Sequence, residues 1–162
     1  MRVTGILRKT AIFGALGVAL AIIPTAGVSA SATSASGQRE LSDRCDENAY
    51  DYYYGKVRVF YTPKSYDERD HIDDIEYYLG AKGKVTLGKK SNVRLRIRES
   101  LADRPDKTLW SWESGDDIKP GWHSKNPYRT IAYKTRWHVD VRFIFDYGGG
   151  PDPKCTATTN KA

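Results

Sequence analysis

The chain has 162 residues, a net charge of +6 and two cysteines. That length suits one domain with a real core once a leader is removed. The charge is too mild to imply nucleic-acid binding by itself, and no segment beyond the first thirty residues is apolar enough to span a membrane.

Arg2, Arg8 and Lys9 form a basic start, Ala11 to Ile23 is an apolar run, and Pro24 breaks it before small residues ending Val28-Ser29-Ala30. This three-part pattern predicts a secretory signal peptide over residues 1–30, cleaved after Ala30 or, nearly as well, after Ala32. The run is too short for a spanning helix, and no cysteine stands at the cleavage site to carry a lipid. The expected mature protein is extracellular and keeps no membrane contact after cleavage. The Ala-rich start and the Ser/Ala/Thr tract behind it resemble those of secreted proteins from high-GC bacteria. Cleavage removes three basic residues and no acid, which halves the net charge of +6.

Residues 31–44 are rich in Ser, Ala, Gly and charge, without apolar periodicity, and read as a flexible leader. The domain is expected over 45–156, with a tail at 157–162. Val57, Val59 and Tyr61 alternate with Lys56, Arg58 and Phe60, which predicts a strand ended by Pro63. Lys64 to Asp74 is the most polar stretch of the body and reads as a loop. Ile75, Tyr77 and Leu79 alternate with Glu76 and Tyr78; a turn at Gly80 to Gly83 would then return Lys84 to Leu87 as the second arm of a hairpin.

Val93, Leu95 and Ile97 predict one face of a strand whose other face carries Arg94, Arg96 and Arg98. Thr108 to Trp112 is a further strand, and Glu113 to Asn126 a long loop containing Gly115, Pro120 and Gly121. Tyr128 to Thr135 then feeds the clearest strand of the chain, Trp137 to Tyr147. Trp137, Val139, Val141, Phe143, Phe145 and Tyr147 share one face of it; His138, Asp140, Arg142, Ile144 and Asp146 share the other. Gly148 to Pro153 stops the sheet.

Short strands at this spacing, with no sustained helical period, predict an all-β fold: a single antiparallel β-sandwich of about seven to eight strands, immunoglobulin-like or jelly-roll-like. Cys45 and Cys155 lie near the two ends of this region. In an exported chain they are expected to form one disulfide that joins the termini.

Three sets of residues carry candidate chemistry. Arg94, Arg96 and Arg98 form a basic stripe, with Arg58 and Arg142 outward on other strands, able to meet an anionic polymer or to be neutralised by Asp140, Asp146 and Glu99. Trp110, Trp112, Trp122 and His123 gather around the long loop, where flat rings beside polar groups suit carbohydrate; Trp122 is the ring expected to be most exposed, and Trp137 is expected in the core. Asp67, Asp70, His71, Asp73 and Asp74 lack the spacing of a calcium loop, so no metal or other cofactor is implied. His71, His123 and His138 stand in no catalytic motif.

The leading expectation is therefore a non-catalytic extracellular binding module for a polysaccharide or cell-wall polymer. The alternatives are an inhibitor or toxin that docks a secreted protein through the 113–126 loop, and a small secreted hydrolase using one of the three histidines.

Overall fold

The computed structural model describes residues 37–48, 50–63 and 67–162. The segment expected to be a signal peptide and the first part of the expected leader lie outside the described residues. The rest is all-β: β1 (Arg39–Asp46), β2 (Tyr53–Thr62), β3 (Arg69–Ala81), β4 (Asn92–Glu99), β5 (Lys107–Glu113), β6 (Gly121–Lys125), β7 (Arg129–Ala132), β8 (Trp137–Ile144) and β9 (Lys154–Thr158).

All pairings are antiparallel, as the short connections require. The first sheet runs β1-β2-β3-β6, and β7 shares the same edge of β3 beyond β6. The second runs β5-β4-β8-β9. The two sheets pack face to face. Val57, Val59, Tyr61, Ile75, Tyr77 and Leu79 of the first meet Val93, Leu95, Ile97, Val139, Val141 and Phe143 of the second, all buried. Each such side chain contributes about 1.5–3 kcal/mol by leaving water.

Trp137 sits at the start of β8, fully buried, with its ring edge-on to Tyr61 at 5.1 Å. Its indole Nε1–H donates to Asp70 Oδ2 at 2.9 Å, so the polar end of a core tryptophan is satisfied inside the protein. Cys45 and Cys155 are bonded, joining edge strand β1 of the first sheet to edge strand β9 of the second. Among the described residues no helix is long and apolar enough to cross a membrane.

The described residues form nine strands where about seven to eight were expected, and the differences in detail have physical causes. β1 starts at Arg39, inside the stretch read as leader; only Leu41, Cys45 and Asp46 are shielded on this edge strand, so it carries no apolar face to notice. β3 starts at Arg69, inside the stretch read as loop. A register shift between Phe60 and Tyr61 turns Asp73 and Asp74 outward together, spacing the buried Ile72 and Ile75 three apart and breaking the alternation. Lys84 to Leu87 does not return as a strand: β3 pairs with β2, β6 and β7 instead. The long 113–126 loop contains β6. The expected strand over 128–135 shortens to β7, and β8 ends at Ile144, although Phe145 is still buried. The tail belongs to the fold, since Ala157 and Thr159 are buried and the Ala162 N–H donates to the Trp137 carbonyl.

Candidate functional site

The seven candidate residues fall in three separate places. Trp122 lies on the outer face of the first sheet. Trp110, Trp112 and His123 lie along the margin between β5 and β6/β7. Arg94, Arg96 and Arg98 lie on the outer face of the second sheet.

The outer face of the first sheet is built by strand parity. Val57, Val59, Tyr77 and Leu79 point inward, so Lys56, Arg58, Glu76 and Tyr78 point outward. The register places Arg44, Lys56, Tyr78 and Trp122 in one row across four strands, a span of roughly 14 Å at the usual strand spacing. Tyr54 lies one position along, over Gly80, where the missing side chain leaves room for its ring.

The rings and cations of this row touch. Tyr54 stacks on Tyr78 at 5.7 Å, and Tyr78 meets Trp122 edge-on at 5.3 Å. Lys56 Nζ sits 5.6 Å from both tyrosine rings, the Arg44 guanidinium 4.9 Å from Tyr54, and the Arg58 guanidinium 4.1 Å from the Trp122 ring. Arg44 is paired with Asp46 and Arg58 with Glu76, but Lys56 makes no salt bridge among the described residues. A hydrogen bond with Tyr54 holds the Tyr78 phenol above its ordinary pKa. Trp122 is 45 % exposed. Beside it an open trough of about 380 Å³ runs between β1 and β2, bordered by Ser42, Arg44, Lys56 and Arg58.

Trp110 and Trp112 do not join this face. They pair with Ile97 and Leu95 and follow them inward, half-buried at the edge of the core. Trp110 borders a cleft of about 260 Å³ with Ile97, Leu109 and Ile131. Trp112 packs near Tyr77, with Lys125 Nζ 5.2 Å from its ring. His123, one residue from Trp122, points the other way: it stacks on Tyr77 at 5.4 Å and donates from Nε2 to the Lys119 carbonyl at 2.8 Å. Adjacent residues on a strand face opposite sides, so Trp122 and His123 cannot share a site.

The arginine stripe is only partly free. Arg94 forks onto Glu113 at 2.6 and 2.9 Å, and Arg98 binds Asp140 and the Asp106 carbonyl. Arg96 has no ion pair among the described residues, although its register partner is Asp140.

The histidines do not converge. His71 lies 3.1 Å from Asp67. His138 has Ser100 Oγ 2.9 Å from Nδ1, with Asp140 and Asp106 oxygens 3.5 and 3.6 Å from Nε2. At 4 % exposed, this ring offers no face to a substrate; it pins the connection between β4 and β5. The acidic residues are dispersed too: Asp70 serves Trp137, Asp73 accepts from Gln38 and Thr62, and Asp74 accepts from Ser124. No three His, Cys, Asp or Glu side chains are placed to hold a metal ion among the described residues.

The residues that sequence reasoning missed are Tyr54, Lys56, Tyr78 and Arg44. The parity of Tyr54, Lys56 and Arg58 was visible along one strand; their alignment with Tyr78 and Trp122 depends on a register between strands that lie far apart in the chain. Compared with models of known protein families, with curated proteins and with solved structures, the chain matches none.

Proposed function

We propose that this chain is an exported, non-catalytic binding protein that lays a glycan or wall polymer across the outer face of its first sheet. The observation that carries the reading is the row Arg44–Lys56–Tyr78–Trp122, with Tyr54 beside it. Rings on a sheet face offer a flat apolar contact for the C–H face of a sugar, and the neighbouring cations suit its hydroxyls or a carboxylate. Arg58 packed on Trp122 holds the indole in place, so docking costs little side-chain entropy. Lys56, which has no carboxylate partner among the described residues, is the group that would select an acidic sugar. Export is supported by the three-part amino-terminal pattern and by the single disulfide.

The test is co-sedimentation with insoluble neutral and acidic polysaccharides and with wall preparations. Wild type should be retained by at least one of them. Trp122→Ala and Tyr78→Ala should each weaken retention about tenfold, the loss of one well-packed aromatic contact. Lys56→Gln should weaken only the acidic polymer. Retention unchanged in the Trp122→Ala/Tyr78→Ala double variant, or no retention of wild type by any polymer, would overturn the proposal.

A further inference from the structure

On the opposite outer face of the sandwich, three arginines surround one small cleft. Arg94 of β4 stands directly opposite Arg142 of β8, and Arg142 in turn stands opposite Thr156 of β9. Arg96 is the next outward residue along β4. These four and Asp140 line a cleft of about 140 Å³, the liquid volume of four or five waters.

Placing two like charges directly opposite each other on a sheet is destabilising. Arg94 is held by Glu113, but neither Arg96 nor Arg142 makes an ion pair among the described residues. Asp140 is the carboxylate the register assigns to Arg96, yet its oxygens are taken elsewhere: Oδ2 accepts from Arg98 at 3.3 Å and Oδ1 from Thr158 Oγ1 at 2.8 Å. His138 Nε2 lies 3.5 Å from the same carboxylate. Asp140 therefore closes one wall of the cleft without neutralising its cations.

We infer that the Arg94–Arg96–Arg142 cleft is a binding site for a tetrahedral oxyanion, a phosphate or sulfate group. Planar guanidinium forks match the geometry of such oxygens, and Thr156 adds a hydroxyl donor on the third strand. The cleft holds a single group rather than a chain, so either a free anion or one ester group of a polymer would fill it. This inference does not depend on the glycan reading: the residues belong to the other sheet.

Titration calorimetry and thermal melts at constant ionic strength test it, with inorganic phosphate, sulfate and chloride as probes and poly(glycerol phosphate) as the polymer arm. Phosphate and sulfate should bind and raise the melting temperature while chloride does not. Arg96→Gln and Arg142→Gln should each weaken binding about tenfold, while Lys134→Gln, an equal charge loss at an exposed site away from the cleft, should not. Arg142→Gln should also raise the melting temperature without anion, because it removes the opposed charge. Trp122→Ala should leave phosphate binding intact, which separates this site from the first-sheet face. Tighter binding of the polymer than of phosphate would assign the oxyanion to a polymer; equal or weaker polymer binding would assign it to the free anion. An equal response to chloride at the same ionic strength, or phosphate binding unchanged in Arg142→Gln, would overturn the inference.

Discussion

The ring of Phe143 occupies the place where Gly55 would carry a side chain. Gly55 lies on β2 directly opposite Cys45, and Phe143 lies on β8 directly opposite Cys155. The glycine, the ring and the disulfide are thus one assembly: the missing side chain lets Phe143 reach across the core where β1 and β9 are tied. Phe143 also stacks on Phe145, which in turn stacks on Tyr53, so the ring has a fixed bed behind it.

Gly55→Ala should therefore destabilise the protein. Alanine in a strand normally gains about 0.5–1 kcal/mol over glycine through chain entropy, but a methyl group forced into an aromatic ring costs about 1–3 kcal/mol, and the clash wins. Urea unfolding should show a lower midpoint with an unchanged slope. Gly55→Ala combined with Phe143→Leu should recover part of the loss, because the smaller side chain opens the space. Wild-type stability in Gly55→Ala would show that the ring moves freely.

Breaking the disulfide should cost more. Cys45 and Cys155 are 110 residues apart, and closing a loop of that size restricts the unfolded chain by about 4–5 kcal/mol in the entropy model. Reduction should lower the melting temperature by roughly 10 °C or more for a domain of this size. The Cys45→Ala/Cys155→Ala variant should melt with the reduced protein. Hydrogen exchange should show β1 loosening first, since it is an edge strand with little buried surface of its own. Equal melting temperatures before and after reduction would contradict this.

The two sheets were legible in the sequence wherever one strand face was apolar and the other was not. Val57-Arg58-Val59 and Val93 to Arg98 announce themselves this way, as does Trp137 to Phe143. The reading failed where that contrast was absent. β1 has almost no buried side, β6 is short and follows Pro120, and in β3 the bulge puts Asp73 and Asp74 on the same side. Asp70 is a buried acid inside the stretch read as a polar loop, with its partner Trp137 far away in the chain. The candidate site suffered more than the fold. Trp110, Trp112 and Trp122 are near in sequence, but strand parity sends two inward and one outward, and Tyr78 reaches Trp122 only through the β3–β6 register.

Asp106 should give a measurable acid limb to stability. Its carboxylate accepts the Leu101 N–H at 3.1 Å, which holds it below the ordinary value of 3.8, with Arg98 and His138 adding to the effect. A folded-state value below the unfolded one means that the stabilisation is complete above the unfolded value and disappears as pH falls through the folded one. The stability gap between wild type and Asp106→Asn should thus be widest near neutrality and shrink below about pH 4. Melts across that range will read it. A gap that is constant with pH would mean that the interaction at Asp106 does not depend on its charge.

Tryptophan fluorescence distinguishes the four indoles by position. Trp137 is fully buried, Trp110 and Trp112 are half-buried, and Trp122 is 45 % exposed. Iodide, a charged quencher excluded from protein interiors, should therefore reach Trp122 first. Trp122→Phe should remove most of the quenchable emission and leave a blue-shifted, resistant remainder dominated by Trp137. If a polysaccharide binds across the first sheet, it should protect the same fraction in wild type and change nothing in Trp122→Phe. Quenching that survives Trp122→Phe undiminished would place the accessible indole at the β5 margin instead and move the search for a ligand to the cleft beside Trp110.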